Sequence, residues 1–388
     1  MDSLQEAPPL IRGGPWEAFE RAIGMIRKDG RTSVVCIAAL AIFLWLPLVL
    51  LAYAQGGASA AQLVLQDYVV GVRLLVAVPL LLYAEGTVDR RVSVALQTIR
   101  REDLVPPDSL KLWEDGLRRA HRFATGTLPF VALVAISLVL ILTRLRSPLQ
   151  GTSVDWMQTN PGTTSWAGMW YTILGRPFCT FLVLLWGWRW ITVASLLRRI
   201  SKLPLRLMIS HPDRVGGLGI LGEGPYSASM VIFAMGAVVS AHLAWEMTTQ
   251  SVTLKSLAPA IGVFALAALL FAVGPLFFLM PQLFRLQRKA MVEFGVLAGR
   301  HSHRFEERWL GGEGRTQGTE ENPVGSPDMS SLIDLGSSYD VARSIRTLPF
   351  RLSILKSILI AALLPMLPLL LLETPLEEIV LKLVKMLL

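Results

Sequence analysis

Apolar residues in this chain gather into long runs, separated by charged or glycine-rich segments. The runs are Ser33–Ala54, Leu65–Ala84, Gly126–Thr143, Phe178–Leu197, Ser227–Met247, Leu257–Leu283 and Ile354–Leu372. About 20 residues of helix cross the ~30 Å hydrocarbon core of a bilayer. Runs of this length with almost no charge therefore predict transmembrane helices. The second run is the least uniform, because it contains Asp67 and Arg73. The sixth is long and carries Pro275 and Pro281, which predicts a kink. The expected fold is all-α: a polytopic membrane helix bundle of about seven transmembrane helices with cytoplasmic helical extensions.

The segments between the runs predict the rest of the organisation. Residues 1–32 read as a charged cytoplasmic segment, and 33–310 as a six-span bundle with helical cytoplasmic loops. Residues 311–330 read as a disordered linker, and 331–388 as a cytoplasmic helix, a seventh span and a C-terminal amphipathic helix. In "PPDSLKLWEDGLRRAHRF", Asp108 is a plausible N-cap, and Leu110, Trp113, Leu117 and Ala120 recur at helical spacing. Lys111, Arg118, Arg119 and Arg122 fall opposite, giving a basic amphipathic helix suited to lying under an anionic leaflet. Leu332, Leu335, Tyr339, Ala342 and Ile345 mark one face of another helix, ended by Pro349. At the C-terminus, Thr374, Pro375 and Glu377 form a capping box for a helix too short to span. Its broad apolar face predicts a place at the outer interface or against a second subunit, and hence a homo-oligomer. Trp156, Trp166 and Trp170 predict an interfacial cap on the outer side. No internal repeat is apparent.

Composition and charge refine this picture. The chain is 53% hydrophobic and 17% charged, against roughly 45–50% and about 25% in soluble domains. The formal charge of +8 would fit a nucleic-acid partner, but the basic residues sit beside the apolar runs. Arg12, Arg21, Arg27, Lys28 and Arg31 precede the first run, whereas "AQGGASAAQ" after it has no Lys or Arg. The alternation continues along the chain and predicts the N-terminus inside and the C-terminus outside. The expected partner is the lipid bilayer, with no nucleic acid, and the expected location is a bacterial inner membrane. No removable signal peptide is expected, since the first 32 residues lack a short apolar stretch with a small-residue cleavage site. Cys36 and Cys179 both lie inside apolar runs, so neither a disulfide framework nor a metal cluster is expected.

The stretch "HPDRVGGLGILGEG", His211–Gly224, contains a literal G-x-G-x-x-G. That fingerprint needs a strand before it and a βαβ unit around it. Two apolar runs flank it instead, so the dinucleotide reading fails and no cofactor is expected. Two readings remain. The glycines supply tight turns under the bundle, or their N–H groups form an anion nest beside His211, Asp213 and Arg214, with Gly216, Gly217 and Gly219 in the loop. This loop, together with "DLGSSYDVARSIRTLPF" (Asp334–Phe350), resembles a family of bacterial multi-pass inner-membrane proteins with no assigned function. The resemblance covers only these two stretches and brings no activity with it.

Charged residues within apolar runs are costly and usually face the bundle interior or water. Arg73 and Arg189 lie deep in the second and fourth runs, and Trp186 stands one turn before Arg189, within reach of a cation–π contact. His242 and Glu246 are four residues apart, on one face near the outer end of the fifth run. Gly236, Ser240 and Ala244 form a small-residue stripe for close helix packing. These residues, with Asp67, point to a channel or secondary transporter for a small ion or solute. The alternative is a non-transporting scaffold or sensor whose cytoplasmic helices bind a partner. A membrane enzyme acting on lipid headgroups through His211, Asp213 and Glu223 is the third reading.

Overall fold

The computed structural model describes residues 10–27, 30, 32–145, 156–160, 163–310 and 326–373. The helices are α1 Gly14–Ala22, α2 Val34–Gln66, α3 Tyr68–Arg101, α4 Leu110–Thr125, α5 Thr127–Leu145 and α6 Trp166–Ile200. They continue as α7 Gly224–Gln250, α8 Leu254–Val273, α9 Met280–Trp309, α10 Pro327–Arg343 and α11 Leu352–Glu373. Strands β1 Gln158–Asn160 and β2 Thr163–Thr164 form a short antiparallel hairpin. Among the described residues, seven helical segments are long and apolar enough to cross a membrane. Val35, Phe43, Leu128, Val263 and Ile360 lie exposed on their outer faces. Continuous apolar surface of this kind belongs in lipid, so the chain is a multi-pass membrane protein.

Successive spans alternate in direction and define two ends. At the basic end, the α3–α4, α6–α7 and α10–α11 connections meet. Arg206 N donates to the Leu104 carbonyl, and Arg346 N to the Arg214 carbonyl. At the far end, Tyr68 Oη lies 3.0 Å from Thr248 Oγ1, and Trp166 N donates to Gln55 Oε1. The central helices are α3, α6 and α7, whose apolar windows are at least half buried. The small-residue stripe of α7 serves packing within the fold. A Cβ on Gly236 would stand 2.9 Å from the Ala362 carbonyl of α11.

α3 and α6 follow one plan. Each begins at the far end with a side-chain cap: Asp67 accepts from Val70 N, and Ser165 from Gly168 N. Each then widens into a π-turn, Val72–Ala77 and Tyr171–Gly175, just ahead of Pro79 and Pro177. A proline removes a helical N–H and crowds the preceding turn, and a π-turn absorbs both effects. Each helix ends in an arginine pair, followed by Pro106 or Pro204. The returning helices start at Gly126 and Gly224. Matched positions differ by the same 98 residues that separate the hydrogen-bonded pair Arg73 and Tyr171. The two helices thus share one local plan of cap, π-turn and proline. The prolines, the arginine pairs and the glycines match in type, whereas the two cap residues, Asp67 and Ser165, differ.

Three expectations need correction. α3 does not end at Ala84 but runs unbroken to Arg101, and α6 starts at Trp166 rather than Phe178. The apolar face of the basic helix α4 is turned to the bundle rather than left free for a leaflet. Its apolar residues Trp113 and Ala120 are buried, and it packs along the basic half of α6, in line with α5 beyond the break at Gly126. The linker expected over 311–330 is helical at its end, where Ser326 caps α10; residues 311–325 and the C-terminal helix from Thr374 lie outside the described residues.

Because Trp113 is 3% exposed, Trp113→Ala should cost about 3–5 kcal/mol through loss of packing on α6. The expected readout is a clearly lower melting midpoint of the detergent-purified protein. An unchanged midpoint would put α4 back on the membrane surface.

Candidate functional site

The polar groups buried in the bundle form two clusters on α3, about 18 Å apart along the helix at 1.5 Å per residue. The far-end cluster is built on Asp67 and Arg73. Asp67 Oδ1 caps the helix, and Asp67 Oδ2 accepts from Trp156 Nε1 at 2.9 Å. Arg73 donates to Tyr171 Oη at 2.9 Å, and the Tyr171 ring meets that of Trp156 edge-on. Trp156 is therefore buried beneath the surface, as a partner of Asp67. Trp170 donates to the Leu44 carbonyl, whereas Trp166 lies exposed as an interfacial residue should.

The basic-end cluster is built on Arg189 and a residue that sequence reasoning missed, Glu85. Arg189 NH1 lies 2.7 Å from Glu85 Oε1, with both side chains almost wholly buried. Its geometry is an ion contact rather than an aligned hydrogen bond. The Arg189 guanidinium also lies over the Trp186 ring at 5.5 Å, the cation–π contact expected from their spacing. Trp16 Nε1 donates to both Glu85 oxygens, at 3.0 and 3.2 Å. Residues from Leu10 onward are thus docked rather than a free charged segment. Leu10, Ile11 and Met25 are buried, and Ile11 N donates to Asp89. Arg12 NH2 bonds Thr32 Oγ1, which ties this segment to the start of α2.

Glu20 of α1 completes the cluster. Burial pushes its pKa up to about 9, aided by the charge of Glu85 and a hydrogen bond to it; Arg189 and Arg12 counter this only in part. The raised pKa favours the acid form of Glu20. The cluster thus sets Glu20 and Glu85 beside Arg189, with Trp16 as a neutral donor. Glu85 sat one residue past the expected end of the second run, and Glu20 lay in a segment read as solvated. The available signal was spacing: Trp16 with Glu20, and Glu85 with Asp89, each share a helix face.

His242 and Glu246 do meet, with Nε2 3.4 Å from Oε1, but both are partly exposed at the far end of α7 and join neither cluster. The glycine loop resolves its own question. The Asp213 carboxylate accepts from the N–H groups of Val215, Gly217 and Gly219, and lies 2.7 Å from His211 Nδ1. The nest is filled by the chain's own Asp213, in keeping with the reading of the glycines as tight turns under the bundle. Burial alone would raise the Asp213 pKa. Hydrogen bonds from Val215, Gly219, His211 and Gly217 outweigh it and hold the group below the ordinary aspartate value. Gly216 and Gly217 take positive φ of 71° and 97°, and a Cβ on Gly217 would strike Leu104. Arg214 also has positive φ, at 58°, and its carbonyl and that of Asp213 are held by Arg346. Glu223 lies beyond the nest, at the start of α7.

Neither a known protein family, nor a curated protein, nor a solved structure matches this chain.

Two outcomes follow from these clusters. Glu20 has a raised folded pKa, so its contribution is complete below the unfolded value near 4.5 and is lost as pH rises through about 9. The melting midpoint should fall over that window, and Glu20→Gln should flatten the fall. Equal slopes in the two proteins would contradict a neutral Glu20. Asp213 has the opposite sign. Its contribution is present above the unfolded value and lost as pH falls through its lower folded pKa. Asp213→Asn should therefore melt several degrees lower at neutral pH. Gly222→Ala should be worse, because its Cβ would meet the Pro349 carbonyl. Normal yield and melting of both variants would mean that this loop does not lock the basic end.

Proposed function

We propose that this protein is a non-conducting membrane scaffold or sensor of the bacterial inner membrane, with its basic end in the cytoplasm. In this reading the N-terminus lies inside and the C-terminus outside, as the Lys/Arg asymmetry favours. The supporting observation is the layer between the two clusters. Leu74, Ala77, Val78, Leu81 and Leu82 of α3 are 0–1% exposed, and Leu182 and Trp186 of α6 are 0%. Trp186 Nε1 donates to the Leu81 carbonyl, pinning the helices together there. A bare ion in such a layer faces a solvation cost on the order of 20 kcal/mol before relaxation. Beyond the bundle, α9 and α10 pack as a hairpin that leaves Val292, Val296, Leu297 and Ile333 exposed. Exposed apolar residues on an otherwise polar hairpin favour a cytoplasmic protein partner.

A second reading is secondary transport of a small ion or solute. It is favoured by the two polar bridges between α3 and α6, Arg73–Tyr171 on one side of the apolar layer and Glu85–Arg189 on the other. In that reading they act as alternating gates, and α3 and α6 move against each other.

Proteoliposome flux separates the two. Under a potassium or proton gradient, vesicles holding the full chain should leak no faster than empty ones. A photo-crosslinker at Ile333 should meanwhile trap a specific cytoplasmic protein in cells. Flux above background that is lost in Glu85→Gln and Arg73→Gln would replace the scaffold reading with transport.

A further inference from the structure

A cavity of about 150 Å³ lies between α4 and the basic end of α6, apart from both clusters. Trp113, Gly116, Arg119, Leu196, Arg199 and Leu203 line it. Asp115 also borders it, but Arg118 holds that carboxylate at 3.5 Å. Both arginines reach the exposed mouth of the cavity, and neither side chain has an ion pair or hydrogen bond with another described residue. Two unpaired guanidiniums beside apolar walls suit an amphiphile with an anionic head.

Gly116 leaves the wall of the cavity without a side chain on α4. A glycine inside a helix costs about 1 kcal/mol relative to alanine. Packing does not require it here, since a Cβ at Gly116 would meet nothing within 4 Å. A larger side chain at this position would project into the cavity.

Depth identifies the source of the ligand. The rings of Phe123 and Trp188 lie 4.3 Å apart, and Trp188 Nε1 donates to the Phe123 carbonyl. Just past Gly126, Leu128 and Val131 are 83% and 56% exposed and mark the hydrocarbon zone. Tryptophan favours the headgroup boundary. Arg119 stands one turn from Phe123 on the basic side, which is where lipid phosphates lie.

We propose that this cavity binds the headgroup phosphate of an anionic phospholipid, held by Arg119 and Arg199. Leu196 and Trp113 supply the apolar wall beside the two arginines. The proposal is independent of whether the bundle transports anything.

The test is native mass spectrometry of the full chain extracted from vesicles of equal phosphatidylglycerol and phosphatidylcholine. The protein should retain phosphatidylglycerol preferentially. Arg119→Gln with Arg199→Gln should reduce the retained lipid about tenfold, given two lost charge-assisted contacts. Gly116→Leu should do the same by filling the cavity, with both charges kept and helix propensity improved. Arg288→Gln with Arg304→Gln removes equal charge from α9 and should match the parent protein. Retention unchanged in both cavity variants would overturn the site. A further arm uses glycerol phosphate in solution. If it binds the delipidated protein and displaces phosphatidylglycerol, the ligand is a soluble phosphate ester and the lipid assignment fails.

Discussion

The Glu85–Arg189 ion pair sets conditions that much of the structure has to meet. Both groups are removed from water, and their mutual attraction offsets that loss only if the remaining donors and acceptors are also satisfied. Glu85 has further oxygen lone pairs to satisfy, and α1 supplies the donors, Trp16 and the acid form of Glu20. The N-terminal segment is therefore bound by an electrostatic need of the bundle rather than by apolar burial alone. Its apolar residues follow: Trp16 packs at tilted angles against Phe19, Phe178 and Phe181. A second carboxylate, Asp89, then holds the backbone of Ile11 and Arg12.

The parts of the fold legible in the sequence were those with local periodicity. Apolar run length gave the seven spans, because the bilayer imposes a minimum helix length. Four-residue spacing placed His242 beside Glu246, Arg189 over Trp186, and Gly236 on a packing face. The partners of deep charges were not legible. Trp16 and Glu85 are 69 residues apart, and Trp156 and Asp67 are 89 apart, so no local pattern joins them. Glu85 was overlooked for a physical reason as well. An acidic residue at the edge of an apolar run looks like the end of a span, whereas here the helix continues for sixteen further residues. The glycine loop was half legible. Its glycines announced positive φ, but only the fold shows that Asp213 occupies the nest they create.

The distribution of polar ties also explains how one bundle is selected. Between helices in lipid there is little hydrophobic drive, because the tails are as apolar as leucine. Specific contact then depends on close approach of small residues and on hydrogen bonds between helices. In this chain the ties lie above and below a packed apolar layer: Asp67–Trp156 and Arg73–Tyr171 toward one end, Glu85–Arg189 toward the other. Two ties on one helix pair fix its register, since a slip of one turn, about 5.4 Å, would break both at once. The shared plan of α3 and α6 assists this. Matched π-turns and prolines give the two helices similar local shape. α7 then needs only small residues to close against α3 and α11, and its buried polar side chains, Ser227 and Ser240, are few and uncharged. Among the described residues, the deeply buried charges of the spans thus lie on α3 and α6, and the remaining spans can be fitted around them by shape.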